Sequence, residues 1–100
     1  MAKFDIYSSP SSRAAYLLDL QDELIDTLST RVVAPLVPTE DVEKRMKILN
    51  PVIRFDGTDY ILMTHLLAAI PATILKKKVG SATSQRDEII ASLDFLFTGI

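Results

Sequence analysis

The apolar residues of this chain arrive in short runs of β-branched and aromatic side chains, each closed by proline, serine, glycine or aspartate. Only beyond Val79 does the spacing change to that of a helix. Runs of this kind read as strands, because branched and aromatic side chains pack well on a pleated surface and the closing residues favour turns. KFDIY is expected as the first strand, with SSPSSR as the loop after it. AAYLLDLQ reads as the second strand and RVVAPLV as the third, with DELIDTLST as a turn or irregular extension between them. Pro35 and Pro38 have no N–H to give to a ladder, which predicts that the third strand lies at an edge or stops early. TEDVEKRMKIL allows a short helix capped by Thr39, with Val42 and Met46 on one face. FDGTDYILM predicts a hairpin about Asp56 and Gly57. YILMTHLLAAIPATILKKKV is expected to hold one or two buried strands broken near Pro71, and Lys76, Lys77 and Lys78 to form a solvated edge that discourages strand pairing.

The last segment is the strongest local signal. Ser84 with Asp87 and Glu88 resembles a capping box, which places a hydroxyl near orphan N–H groups and acids near the positive end of the helix dipole. From there Ile89, Ile90, Leu93, Leu96, Phe97 and Ile100 follow helical spacing and share an arc of about 120°. Phe95 lies off that arc, an apolar residue left over for a second contact surface. The chain closes on LDFLFTGI, where a polar, frayed tail is the usual pattern.

Several classes of function have little to stand on. The 100 residues amount to one domain, 1–100, and 48% apolar with 24% charged residues describes a globular chain rather than a disordered one. There is no cysteine, so no disulfide framework and no thiolate metal site. A net charge of -2 leaves no electrostatic footprint for nucleic acid. The beginning of the chain lacks the apolar core of a signal peptide, and the apolar stretch Tyr60 to Leu75 is too short for a bilayer and carries His65 and Pro71. The expectation is a soluble, cytoplasmic protein without membrane contact. His65 is the only histidine and has no acid close by in sequence to orient it as a base. Asp19, Asp22, Glu23 and Asp26 match no calcium-loop spacing and read as a solvated acidic turn. Gly57, Gly80 and Gly99 are too scattered for a phosphate loop. No catalytic residue, cofactor or metal is expected.

FDIY, YLLDLQDELIDT, RVVAPL, NPVI, LMTHLLAAIPATIL and the terminal helix ending in Gly99 and Ile100 follow one another in an order that resembles the CcdB family of plasmid-maintenance toxins. DLQDELIDT together with the final Gly-Ile is the most specific pair, because neither packing nor solubility requires those residues there. The resemblance implies a mainly β fold of SH3-like barrel type, with a five-stranded antiparallel sheet, a smaller three-stranded sheet and a C-terminal helix, assembled as a homodimer. It implies a type II toxin that binds the dimerisation region of the DNA gyrase A subunit and poisons the cleaved-DNA complex without catalysis. A CcdA-like antitoxin with a disordered acidic tail would neutralise it. Carried over by position, the gyrase-binding residues are Leu24, Ile25, Asp94, Phe97, Thr98, Gly99 and Ile100. At position 98 this chain departs from the best-known members, which carry tryptophan there. Two alternatives share the fold. A MazF- or Kid-type endoribonuclease would need a basic RNA groove that Arg13, Arg31, Arg45 and Arg54 do not obviously build, and a non-toxic member would bind only the antitoxin.

Overall fold

Strand β3, Thr30–Pro38, is the hub of the molecule in the computed structural model, which describes residues 2–11, 13–22 and 29–99. Its middle residues, Val33–Leu36, pair with β2, Tyr16–Asp19, which in turn pairs with β1, Asp5–Ser8. On its other side β3 changes partner midway. Thr30–Val33 pair with β6, Ala68–Pro71, whereas Leu36–Pro38 pair with β5, Thr58–Leu62, which continues to β4, Val52–Phe55. With β7, Lys78–Ser81, on the free side of β1, every pairing is antiparallel. The result is a five-strand run β6-β3-β2-β1-β7 and a three-strand run β3-β5-β4 that share β3, curled into a half-barrel. Helix α1, Arg86–Thr98, follows. The mainly β, barrel-with-helix expectation holds.

The position of Pro35 does not follow the edge-strand expectation. Leu36 O accepts from Ala15 N at 3.0 Å and Val32 O from Leu20 N at 2.9 Å, so the even-numbered residues of β3 face β2. Pro35 faces the other side, where its carbonyl accepts from Met63 N at 2.9 Å. Its absent N–H therefore falls in the gap between the end of β5 and the start of β6, where no ladder bond is owed. A proline is tolerated at the centre of the fold because the strand changes partner at that residue.

Alternation along the strands sends Ile6, Leu18, Leu20, Ala34 and Leu36 to the inner face, where Phe4, Ile53, Leu62 and Ile89 complete the core. The outer face carries Tyr7 and Val33 under Leu75. That face also carries an ion pair. Asp19 and Arg31 are 0% and 1% exposed, with Arg31 Nη2 and Nε at 2.8 and 3.0 Å from Asp19 Oδ2. Asp19 Oδ1 accepts from Gln21 N at 3.0 Å, and Arg31 Nη2 also donates to Gln21 O at 3.0 Å. Asp19 is thus a buried partner and not part of the solvated acidic turn expected for it. Asp22 is exposed, and Glu23 and Asp26 lie outside the described residues.

The half-barrel is closed by a side chain. Gln85 Oε1 accepts from Arg54 N at 2.7 Å and Gln85 Nε2 donates to Val52 O at 2.8 Å, so one amide supplies the pair of bonds that a neighbouring strand would have given to β4. Beside this seam, Gly80 of β7 lies so close to the Phe55 ring that any Cβ there would collide with it. Only glycine permits that approach.

Other local expectations meet mixed outcomes. The hairpin forms at Asp56 and Gly57, both with positive φ. Thr39 opens only a single 3-10 turn, Thr39–Asp41, and no helix carries Val42 and Met46. β6 is not buried: of its residues only Ile70 is partly covered. Lys76, Lys77 and Lys78 are exposed at the outermost strand of the five, as an edge run should be. Ser84 is not a cap, because a 3-10 turn, Thr83–Gln85, precedes the helix and no side chain caps it. Asp87 and Glu88 do occupy the first helical turn. The helix is anchored by Ile89 and by Ser92, a polar residue outside the expected arc. Ser92 accepts from Thr64 Oγ1 at 3.2 Å, which makes a serine acceptable there. Ile90, Leu93 and Leu96 are half-buried, Phe97 is exposed and Ile100 lies outside the described residues.

Burial pushes the Asp19 carboxyl above the ordinary aspartate value. The Arg31 and Gln21 hydrogen bonds and the guanidinium charge pull it back, while nearby Asp5 adds to the rise. A raised folded-state value means that the folded protein holds this proton more tightly than the unfolded chain, so stability falls as pH climbs through that window. Removing Arg31 raises the value further. Arg31→Met is therefore expected to cost about 3 to 5 kcal/mol near neutral pH, and less near pH 4, as read by urea unfolding at both pH values. Gln85→Ala is expected to cost about 1 to 3 kcal/mol for two hydrogen bonds, with faster amide exchange at Arg54 than at the hairpin bonds of β4 and β5.

Candidate functional site

Helix α1 rises from the barrel seam at Gln85 and ends at Gly99, which adopts the left-handed conformation, φ 75° and ψ 16°, and returns its N–H to Phe95 O at 2.9 Å. A side chain at that φ would be strained, so the glycine is what lets the helix stop in one tight turn. One residue earlier, Thr98 Oγ1 donates to Asp94 O at 2.6 Å. The hydroxyl is consumed within the helix. Threonine consequently offers its methyl group to anything that approaches.

Asp94, Phe97 and Thr98 stand three and four positions apart and so share one face of the last turns. All three are exposed, as is Gly99, and Phe97 is 71% exposed, the largest value among the big apolar residues described. The structure therefore brings four of the seven expected contact residues together at one end of a braced helix. Leu24, Ile25 and Ile100 lie outside the described residues. What the tip presents is an aromatic ring, a methyl group and a carboxylate, a set suited to insertion into another protein and not to bond chemistry.

Elsewhere, chemistry is sparse. His65 is exposed, and its Nδ1 lies 3.2 Å from Asn50 Nδ2, an amide that cannot orient a catalytic base by charge. Among the described residues no group of three or more His, Asp or Glu could hold a metal ion, and no helix is long and apolar enough to cross a membrane. A concavity of about 370 Å³ lies on the outer face of the five-strand run over Leu17, Val33, Pro35, Val37 and Ile70. Its lining is apolar, with Arg13 the single charged residue.

A surface that sequence reasoning did not single out lies beside the tip. Met46 and Ile48 are exposed opposite Phe95 of the helix. The signal was present in the alternation of RMKI and in the position of Phe95 off the apolar arc, but the two become neighbours only in the folded chain.

The sequence model of the CcdB protein family matches residues 3–99. It spans every strand, the seam at Gln85 and the helix through its glycine cap. An exposed aromatic tip on a curled antiparallel sheet, within a match of that extent, identifies the chain as a member of the CcdB protein family, whose members are gyrase-targeting toxins of toxin–antitoxin systems and are not themselves enzymes.

Proposed function

We propose that this chain is the toxin of a type II toxin–antitoxin pair that binds the dimerisation region of the DNA gyrase A subunit. There it holds the gyrase–DNA cleavage complex in its cut state until a CcdA-like antitoxin removes it. The family match over residues 3–99 carries this reading. Its mechanism is binding alone. A ring that is 71% exposed on the free toxin and enclosed in the complex contributes its burial only when the complex forms. The brace at Gln85 and the glycine cap fix the direction of the ring beforehand, so little ordering cost is left to association. Leu24, Ile25 and Ile100 complete the proposed contact surface with Asp94, Phe97, Thr98 and Gly99. The working form is a homodimer, which would cover the half-buried Ile90, Leu93 and Leu96 that one domain leaves open.

Titration against the gyrase A dimerisation fragment tests the contact. Phe97→Ala is expected to weaken binding by about 2 kcal/mol or more, about thirtyfold, and Thr98→Trp to tighten it by about 1 to 3 kcal/mol, a factor of about 5 to 150. Melting temperatures should hardly move, because both side chains face solvent. Equal binding by all three proteins would remove the tip from the contact. In cells, induction should arrest growth and a gyrase altered at its dimerisation interface should rescue it. Cleavage of RNA by the purified chain would instead place it with the MazF- and Kid-type ribonucleases, and antitoxin binding without gyrase binding would mark a non-toxic member. Light scattering at micromolar concentration is expected to give twice the 11.1 kDa chain mass; a single chain mass at every concentration would remove the dimer from the reading.

A further inference from the structure

The outer face of the five-strand run is apolar where a sheet that faces water on one side is ordinarily polar. Leu17 of β2, Val33, Pro35 and Val37 of β3 and Ile70 of β6 all stand there, in register with one another. Helix α1 does not cover them, because its anchor Ile89 belongs to the inner core. Leu75 covers Tyr7 and Val33 and leaves Leu17, Pro35, Val37 and Ile70 half-buried. What remains is the concavity of about 370 Å³, within the range of about 300 to 1,000 Å³ usual for small-molecule sites. Leu66 and Ile74, 54% and 38% exposed, add apolar surface to its lining, and the loop after β1 supplies the polar part.

That polar part is already organised. Ser9 Oγ donates to Ser11 O at 3.2 Å and accepts from Ser11 N at 3.1 Å, and Ser11 Oγ accepts from Arg13 N at 3.1 Å. The Ser11 hydroxyl thus keeps its own proton to give. Arg13 is exposed, and among the described residues no carboxylate pairs with its guanidinium. No acid stands in the lining either, so its one formal charge is unbalanced. A carboxylate there would meet a planar guanidinium and a hydroxyl donor, a charge-assisted set that matches its shape. The groove beside Met46 and Ile48 differs, because its lining sets one cation, Lys47, against one acid, Glu88, and charge there selects nothing. A second copy of this chain suits the outer-face hollow poorly. Two hollows related by a two-fold axis face each other across a void, and a void forfeits the contacts that drive association.

We propose that the outer-face concavity binds a small amphipathic monocarboxylate, a single alkyl chain ending in one acid group. The chain lies over Leu17, Val37 and Ile70, and the carboxylate faces Arg13 and Ser11. Apolar area removed from water supplies the affinity, and the head group sets the orientation. One negative charge answers the one guanidinium and leaves no second charge to be buried unpaired. The site shares no residue with Asp94, Phe97, Thr98 and Gly99, so its occupancy and the gyrase contact are tested separately.

The probes are octanoate and octan-1-ol, which share a chain and differ in charge, titrated by calorimetry into the full chain at neutral pH. The wild type is expected to bind one octanoate per chain and to prefer it to octan-1-ol by about tenfold or more. Arg13→Gln keeps a polar arm and loses the charge, and should bring the two probes within about twofold of each other. Ala68→Phe places a ring in the hollow from an exposed position and should weaken both probes about tenfold or more. No saturable octanoate binding by the wild type overturns the proposal, as do equal wild-type affinities for the two probes or an Arg13→Gln variant that keeps the preference. Octanoate binding that survives Ala68→Phe places the probe elsewhere and overturns it too. A mass in light scattering that drops as octanoate is added assigns the hollow to an interface between copies, with the same consequence. Should Ala68→Phe melt well below the wild type, amide shifts of the wild type decide: octanoate is expected to move Ala14, Leu17 and Ile70, and shifts confined to other residues overturn the site.

Discussion

Asp19 and Arg31 have almost no access to water, and each is held there by the other, because removing one partner leaves a buried group that must stay charged at a cost of several kcal/mol or give up its charge. Their contact joins positions twelve residues apart, across the segment that connects β2 to β3. It also fixes register. A slip of one residue in β3 would carry the guanidinium to the apolar inner face and strand the carboxylate on the outer one. Since β3 pairs with β2, β5 and β6, an error there would spread to both strand runs. The charge pattern continues on the neighbouring strands, where Lys78 of β7 lies 3.3 Å from the buried Asp5 of β1.

Where a feature depended on neighbours in sequence, the sequence displayed it. The hairpin at Asp56 and Gly57 needed only its turn chemistry, and the edge lysines only their own charge. The role of Asp94, Phe97, Thr98 and Gly99 as a tip came from family resemblance alone, since the helix pattern put Phe97 on the apolar arc although it is exposed. Features set by distant partners were hidden. Asp19 looked solvated because it stands among acids, and its cation is on another strand. Pro35 looked like an edge residue because a change of partner along one strand leaves no mark in composition. Nothing near Ser92 in sequence announces that Thr64 meets it. Met46 and Ile48 were legible as apolar residues but not as a surface, since the helix that walls their groove begins some forty positions later.

The helix tip and the turn that carries Met46 and Ile48 share one structural logic. Each presents apolar side chains from a backbone whose own hydrogen bonds are already made: the Gly99 cap and the Thr98 hydroxyl at the tip, Asn50 and Arg45 in the turn. Neither surface must be organised at the moment of binding. Phe95 belongs to both, through its ring on one side and its carbonyl on the other.

The seam at Gln85 also governs the order in which the chain can fold. Its two bonds reach across 31 and 33 residues, whereas the β4–β5 hairpin beside it turns on two. Hairpins of that size form within about 1 to 10 μs, but closing a long loop carries an entropy cost that must be met before its contacts return anything. By that argument the β4–β5 hairpin forms with its outer edge bare, and the barrel closes only when the strand end before the helix arrives together with β7, whose pairs with β1 span more than seventy residues. Closure and helix docking are then a single late event. Until it happens the chain has neither a direction for its aromatic tip nor a wall beside Met46 and Ile48.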